Sequence, residues 1–175
     1  GSPFACYLIA SGAEAPEERF NWYRKAVEAK NSDDTVDFSA NEALVLDALT
    51  DLANSYRDGK GTPKDGQKAV ELYTKAAMGG SRRAKGELGI VYMLGLGVAK
   101  DGAKAATWFE QAAKDGDGRS MCRLGVMYWK GRGVATDLKQ ALTWFRKATA
   151  SDAPKDQSLA KRAIALILKD NPDLR

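Results

Sequence analysis

The sequence predicts an all-α solenoid of antiparallel helix pairs, and three observations predict it. Tyr56, Tyr92 and Tyr128 stand 36 residues apart. Each is followed by glycine at the third and fifth positions: Gly59 and Gly61, Gly95 and Gly97, Gly131 and Gly133. Asp65, Asp101 and Asp137 continue the phase, then Ala69, Ala105 and Ala141, then Ala76, Ala112 and Ala148. A fixed period of this length marks stacked supersecondary units, and no insertion breaks it from about Ala48 to Asp152.

The unit from Arg82 to Gly116 shows how each element arises. Ala84, Leu88 and Tyr92 share one face of a first helix. Gly89 lies beside Leu88, and a glycine inside a helix costs roughly 1 kcal/mol against alanine. Such a residue is expected where a neighbouring helix approaches closely. Gly125 repeats it, and Ala53 is the small equivalent one unit earlier. Gly95-Leu96-Gly97 then ends the helix, because glycine takes the left-handed cap conformation. Asp101 is placed to cap a second helix, whose apolar face is Ala105, Trp108, Phe109 and Ala112. Ala69, Leu72, Tyr73 and Ala76 hold these places in the first unit, and Ala141, Trp144, Phe145 and Ala148 in the third. A short connection makes the two helices antiparallel neighbours. One pair cannot bury both faces, so pairs must stack.

The ends are less regular. Trp22-Tyr23-Arg24-Lys25-Ala26 reads as the second helix of an N-terminal unit, started by Pro16, Glu17 and Glu18. Phe4 to Ala10, ahead of Gly12, reads as its degenerate first helix. An insertion follows, roughly Asn31 to Phe38, with Asn31-Ser32-Asp33-Asp34 as a loop. Ser39-Ala40-Asn41-Glu42 is a capping box opening a longer helix to about Tyr56. A last helix is predicted from about Asp156 to Lys169. Leu159, Ala163, Ile164, Ile167 and Leu168 form its sealing stripe, and Lys161, Arg162 and Lys169 its charged back. It caps the last repeat or, alternatively, forms a partner-binding or dimer-forming helix. The expected organisation is one solenoid domain over 1–175. It comprises a degenerate N-terminal half-repeat and loop (3–38), repeat 1 (39–80), repeat 2 (81–116), repeat 3 (117–152) and a C-terminal capping helix (153–175).

Composition narrows the chemistry. The 175 residues carry a net charge of +4, with acids interspersed among bases, so no nucleic-acid interface is expected. No histidine is present, which removes the commonest general base and a common metal ligand. Cys6 and Cys122, far apart in apolar helical contexts, read as buried free thiols. Asp115-Gly116-Asp117-Gly118 starts like a calcium loop, but its twelfth position is Val126, where an acid is required. Gly59-Lys60-Gly61-Thr62 lacks the order of a phosphate loop, and its glycines belong to the repeat. No catalytic residue, cofactor or metal site is expected. Gly1-Ser2 reads as an expression scar, and Phe4 to Ala10 is too short to cross a bilayer. Both export to a bacterial periplasm and a cytoplasmic location stay open.

The pattern A-x-x-x-L-G-x-x-Y-x-x-G-x-G-V, then D-x-x-K-A-x-x-W-F-x-x-A-A-x-x-G, resembles the Sel1-like repeat, a relative of the tetratricopeptide repeats. Ala84 through Gly116 matches at nearly every signature position. The third unit departs at Ser120, Gln140, Thr149 and Asp152, and the first at Ala53, Thr62 and Leu72. The resemblance covers about 105 of 175 residues. It implies a right-handed α/α superhelix that holds a peptide or partner protein on its concave face, and it does not imply an enzyme. It also implies a bacterial scaffold or adaptor acting in envelope assembly, signalling or effector and toxin partnership. The alternative is a regulatory or structural subunit, a monomer or weak dimer, that associates through its terminal helices.

By the same resemblance, the first helix of each unit lines the concave face. Its non-repeating positions are Asp47, Thr50, Asn54 and Arg57, then Arg83, Ile90, Met93 and Leu94, then Arg119, Val126, Trp129 and Lys130. Trp129 is off the pattern beside Tyr128, and tryptophan and arginine are frequent interface anchors. Trp129 is expected either to anchor a partner or to pack against the next helix or the cap.

Overall fold

The computed structural model describes residues 2–29 and 38–174. All regular structure among them is helical: α1 (Pro3–Gly12), α2 (Pro16–Ala29), α3 (Phe38–Asp58), α4 (Gly66–Met78), α5 (Arg82–Leu94), α6 (Gly102–Lys114), α7 (Gly118–Lys130), α8 (Leu138–Ala148) and α9 (Pro154–Asp170), with a 3-10 turn at Pro172–Leu174. No described helix is long and apolar enough to cross a membrane. The all-α class and the pairing of helices expected from the period are what the structure has.

The repeat's turn is built by backbone bonds that recur with the sequence. The carbonyls of Tyr56, Tyr92 and Tyr128 accept from the N–H groups of Asp65, Asp101 and Asp137 at 2.8, 2.8 and 2.9 Å. Each aspartate then caps the helix it precedes, accepting from Lys68, Lys104 and Gln140 N–H, each at 2.9 Å. The repeating tyrosine and aspartate are thus the two ends of one closed turn. The first helices α5 and α7 have side-chain caps as well. Ser81 Oγ accepts from Ala84 N–H, and Asp117 accepts from Ser120 N–H. Asp117, part of the calcium-like string, is therefore a helix cap, and Asp115 is ion-paired to Lys85.

Two compact units are distinguished. The first comprises Gly1–Ala84 and Gly95–Ala99. In it α1 packs on α2, α2 on α3, and α3 on α4. Its buried set includes Cys6, Phe20, Tyr23, Val45, Leu52, Leu72 and Tyr73. The ring of Tyr56 meets that of Phe20 edge-on at 5.3 Å. The expected loop from Asn31 and the side chains that open the expected capping box lie outside the described residues.

The second unit comprises Lys85–Leu94 and Lys100–Arg175. In it α6 packs on α7, α7 on α8, and α8 on α9. One core gathers Ala105, Phe109, Leu124 and Met127, and another gathers Cys122, Leu142, Phe145, Ala160 and Ile167. A β-carbon at Gly89 would collide with the Phe109 ring, and one at Gly125 would meet the Phe145 ring. The helical glycines therefore admit an aromatic ring of the paired helix. Phe109 is fully buried; its neighbour Trp108 is only half-buried.

The last helix starts earlier than expected because Pro154 takes the first helical position, where its fixed φ fits and its missing N–H is no loss. Its sealing stripe also differs. Ala160, Ala163 and Ile167 are buried, with Ile164 and Leu168 packed beside them. Leu159, expected in the seal, is 56% exposed. The small Ala160 makes the close contact, and Leu159 lies about 100° around the helix from it.

Candidate partner-binding groove on α7 and α9

The second unit contains a groove of about 670 Å³ between α7 and α9. Four of the twelve positions expected on the concave face line it: Met93, Arg119, Val126 and Trp129. Arg123, Arg132, Lys155, Arg162, Leu159 and Leu166 join them. The floor includes Cys122, Met127, Phe145 and Ala163.

Each wall is fixed by local structure. α7 begins under the Asp117 cap and ends at Gly131 in the left-handed conformation, φ 63°. Gly125 seats α7 against Phe145, which turns the Val126 and Trp129 flank toward α9. Trp129 meets Phe145 edge-on, with centroids 6.4 Å apart and planes at 83°. Lys130 Nζ sits 3.9 Å from the Trp129 ring centroid, a cation–π contact. Trp129 thus both packs against the next helix and lines the groove.

The electrostatics are one-sided. Arg119, Arg123, Arg132, Lys155 and Arg162 line the groove with a single carboxylate, Asp156. None of these five cations makes an ion pair among the described residues. Burial, and then the charge of Arg119, lowers the pKa of Arg123. The Cys122 thiol donates to the Asp156 carbonyl at 3.4 Å. Burial, and then the charge of Asp156, pushes that thiol up to about 11. At that value the thiol is protonated near neutral pH, and the protonated form is a weak nucleophile.

The other expected residues lie elsewhere. Ile90 is packed on the core that holds Phe109, and Leu94 is 57% exposed. In the first unit, Asn54 accepts from the Tyr73 hydroxyl at 2.6 Å, and Arg57 donates to the same hydroxyl at 3.0 Å. Arg57 also pairs with Asp58. Arg83 is held by Asp51 at 2.5 Å, and Tyr7 donates to the same carboxylate. Thr50, read as a surface position, is wholly buried because its hydroxyl donates to the Leu46 carbonyl at 2.7 Å.

Sequence reasoning offered α9 as a partner-binding helix only as the alternative, and named none of its residues as partner-binding. Arg162 was placed on its solvated back and Leu159 in its seal. The signal was present in Lys155, Leu159, Arg162 and Leu166, spaced by four, three and four, which is one helical stripe.

Comparison with known proteins agrees with the repeat pattern. The Sel1 repeat profile matches residues 20–31, 46–81, 83–117 and 118–152. No curated protein matches the chain. Among solved structures, a Sel1 repeat protein from Oxalobacter formigenes is 26% identical, with a TM-score of 0.76 over 94% of this chain and 64% of that one. The protective antigen c5321 of uropathogenic Escherichia coli is 23% identical, with a TM-score of 0.58 over 98% of this chain and 47% of that one. Cysteine rich protein B of Helicobacter pylori is 23% identical, with a TM-score of 0.55 over 83% of this chain and 98% of that one. This chain therefore spans less than two thirds of the first two proteins. With the profile covering most of its length, the chain belongs to the Sel1 repeat family.

Proposed function

We propose that the chain is a non-catalytic scaffold that holds a segment of another protein in the groove on α7 and α9. Sel1 repeat proteins are typically protein–protein interaction scaffolds. The observation that carries the reading to this site is the convergence of Trp129, Met93 and Val126 with two exposed leucines and a set of unpaired cations. Buried aromatic and arginine anchors beside apolar surface are the composition of interface hot spots. An enzyme would need a base other than histidine, and the groove's one thiol is held in its neutral form.

The test is reconstitution. Proteins retained by the immobilised chain from its source cell are purified and titrated against it one by one. The expected result is a saturable complex that Trp129→Ala weakens by about tenfold or more. If no purified candidate forms a saturable complex, the scaffold reading is wrong.

A second reading, association through the terminal helices, is favoured by α1. Phe4, Leu8 and Ile9 are 48, 53 and 46% exposed on it. Light scattering decides it: self-association that Leu8→Ser with Ile9→Ser abolishes is the expected sign, and a monomer at all concentrations rejects it.

A further inference from the structure

We propose that the α7–α9 groove binds an acidic amphipathic helix of a partner protein, its apolar residues on Trp129, Leu159 and Leu166 and its carboxylates on Arg119, Arg132 and Arg162. This rests on the scaffold reading and adds the chemistry of the partner.

Two features of α9 point to a helix. It has two apolar faces: Ala160, Ala163 and Ile167 are buried, while Leu159 and Leu166 stay 56% and 51% exposed. The exposed pair is seven residues apart, two helical turns and about 10 Å along the axis. Lys155 and Arg162 alternate with the leucines on the same stripe. A helix laid along this stripe presents apolar residues at the same interval, which is the register of helix-in-groove recognition. Trp129 and Val126 form the facing wall.

Charge selects the sign of the flanks. The whole chain carries only +4, yet the groove holds five basic residues and one acidic residue. None of the five lies within ion-pair distance of a carboxylate among the described residues, although Arg123 feels the charges of Glu87, Asp117 and Asp156. An acidic flank supplies the missing carboxylates, and arginine takes them in bidentate geometry. Nucleic acid would also answer the charge, but it leaves the leucines and Met93 without apolar partners. A fatty acid would answer both in part, but it matches neither the two-turn spacing nor more than one cation.

The experiment is a display selection of random-sequence peptides, each long enough for several helical turns, on the full chain. Enriched peptides are expected to carry excess Asp and Glu, with large apolar residues at helical spacing. Their affinity should fall by about tenfold or more in Leu159→Ser with Leu166→Ser. It should fall similarly in Arg119→Glu with Arg162→Glu, and should weaken with added salt. Both pairs are exposed, and circular dichroism verifies the fold of each variant. Enriched peptides without acidic excess, or with equal affinity for both variants, would overturn the proposal. So would the enrichment of no peptide, or dodecanoate binding to the groove when peptides do not. A reconstituted protein partner that binds both variants undiminished would also overturn it while leaving the scaffold reading intact.

Discussion

Gly97 lies so close to Gly66 that a β-carbon on Gly97 would overlap the Gly66 backbone. The turn of one repeat thereby rests on the first residue of the second helix of the repeat before it. Gly133 stands on Gly102 in the same way, and Gly61 on Pro16. Pro16 at the start of α2 thus holds the place that Gly66 and Gly102 hold at the starts of α4 and α6. The period seen in sequence is, at these positions, a period of backbone contact.

Three alanine substitutions separate the causes. Gly80 has φ +100° with open space around its missing side chain, so Gly80→Ala costs backbone strain alone, about 1–2 kcal/mol. Gly66 has ordinary φ but no room, so Gly66→Ala costs overpacking alone, about 1–3 kcal/mol. Gly97 combines φ +79° with contact, so Gly97→Ala should cost about 3 kcal/mol or more. Urea denaturation of the three variants checks the order. A Gly97→Ala loss no greater than that of Gly80→Ala would show that the turn can shift away from Gly66.

Trp129 combines a packing role with exposure in the groove. Truncation to alanine removes its edge-on contact with Phe145 and should cost about 1–2 kcal/mol of stability. Trp129→Phe keeps an aromatic edge against Phe145 and should recover most of that loss. The measurement is the denaturation midpoint of both variants. An alanine variant as stable as the parent would mean that the ring's packing contributes nothing, leaving it to the partner alone.

The helix pairs were legible because their signals are local. Tyr92, Gly97, Asp101 and Ala105 lie within one turn and its flanking helices, and their backbone contacts repeat with the period. The candidate groove was legible only in part. Met93, Arg119, Val126 and Trp129, which depart from the period, are the proposed site residues that line the candidate groove. Leu159 was misplaced because large apolar residues dominate the reading of a stripe, while the contact of α9 with the core is made through the small Ala160. Thr50 was placed on the concave face because its position does not repeat, but a hydroxyl donating to a carbonyl one turn back can be buried. The Arg83–Asp51 pair spans 32 residues and leaves no local trace.

Alkaline stability should depend on Cys122. Its ordinary value is 9.0, and burial raises it to about 11 in the folded protein. Between those pH values the unfolded thiol has lost a proton that the folded one retains. The stabilisation is therefore complete below pH 9 and is lost as pH rises toward 11. The loss should be at most about 2 kcal/mol. Tyr7, raised to about 12, acts in the same direction at higher pH, so the informative quantity is a difference. Cys122→Ser keeps a hydroxyl donor for the Asp156 carbonyl and does not titrate. The gap in stability between parent and Cys122→Ser should therefore change from pH 8.5 to 10.5, with the parent losing more over that interval. Parallel pH profiles would show that the thiol ionises in the folded state as readily as in the unfolded one.

Ser151 offers the opposite experiment, a gain in stability. Its hydroxyl is buried and has no hydrogen-bond partner among the described residues. The side chain lies against Gly118 at the start of α7, where a β-carbon on the glycine would meet Ser151 Cβ. A buried hydroxyl without a partner loses its hydration and gains nothing in return. Ser151→Ala removes that oxygen and keeps the β-carbon that fills the space. The backbone bonds of Ser151, from its N–H to Ala148 and from Gln157 to its carbonyl, do not involve the hydroxyl. Stability should rise by about 1 kcal/mol, read as a higher urea midpoint with an unchanged slope. A lower midpoint would show that the hydroxyl is hydrogen-bonded in solution, and Ser151→Cys would then fail to restore it because a thiol is the weaker donor.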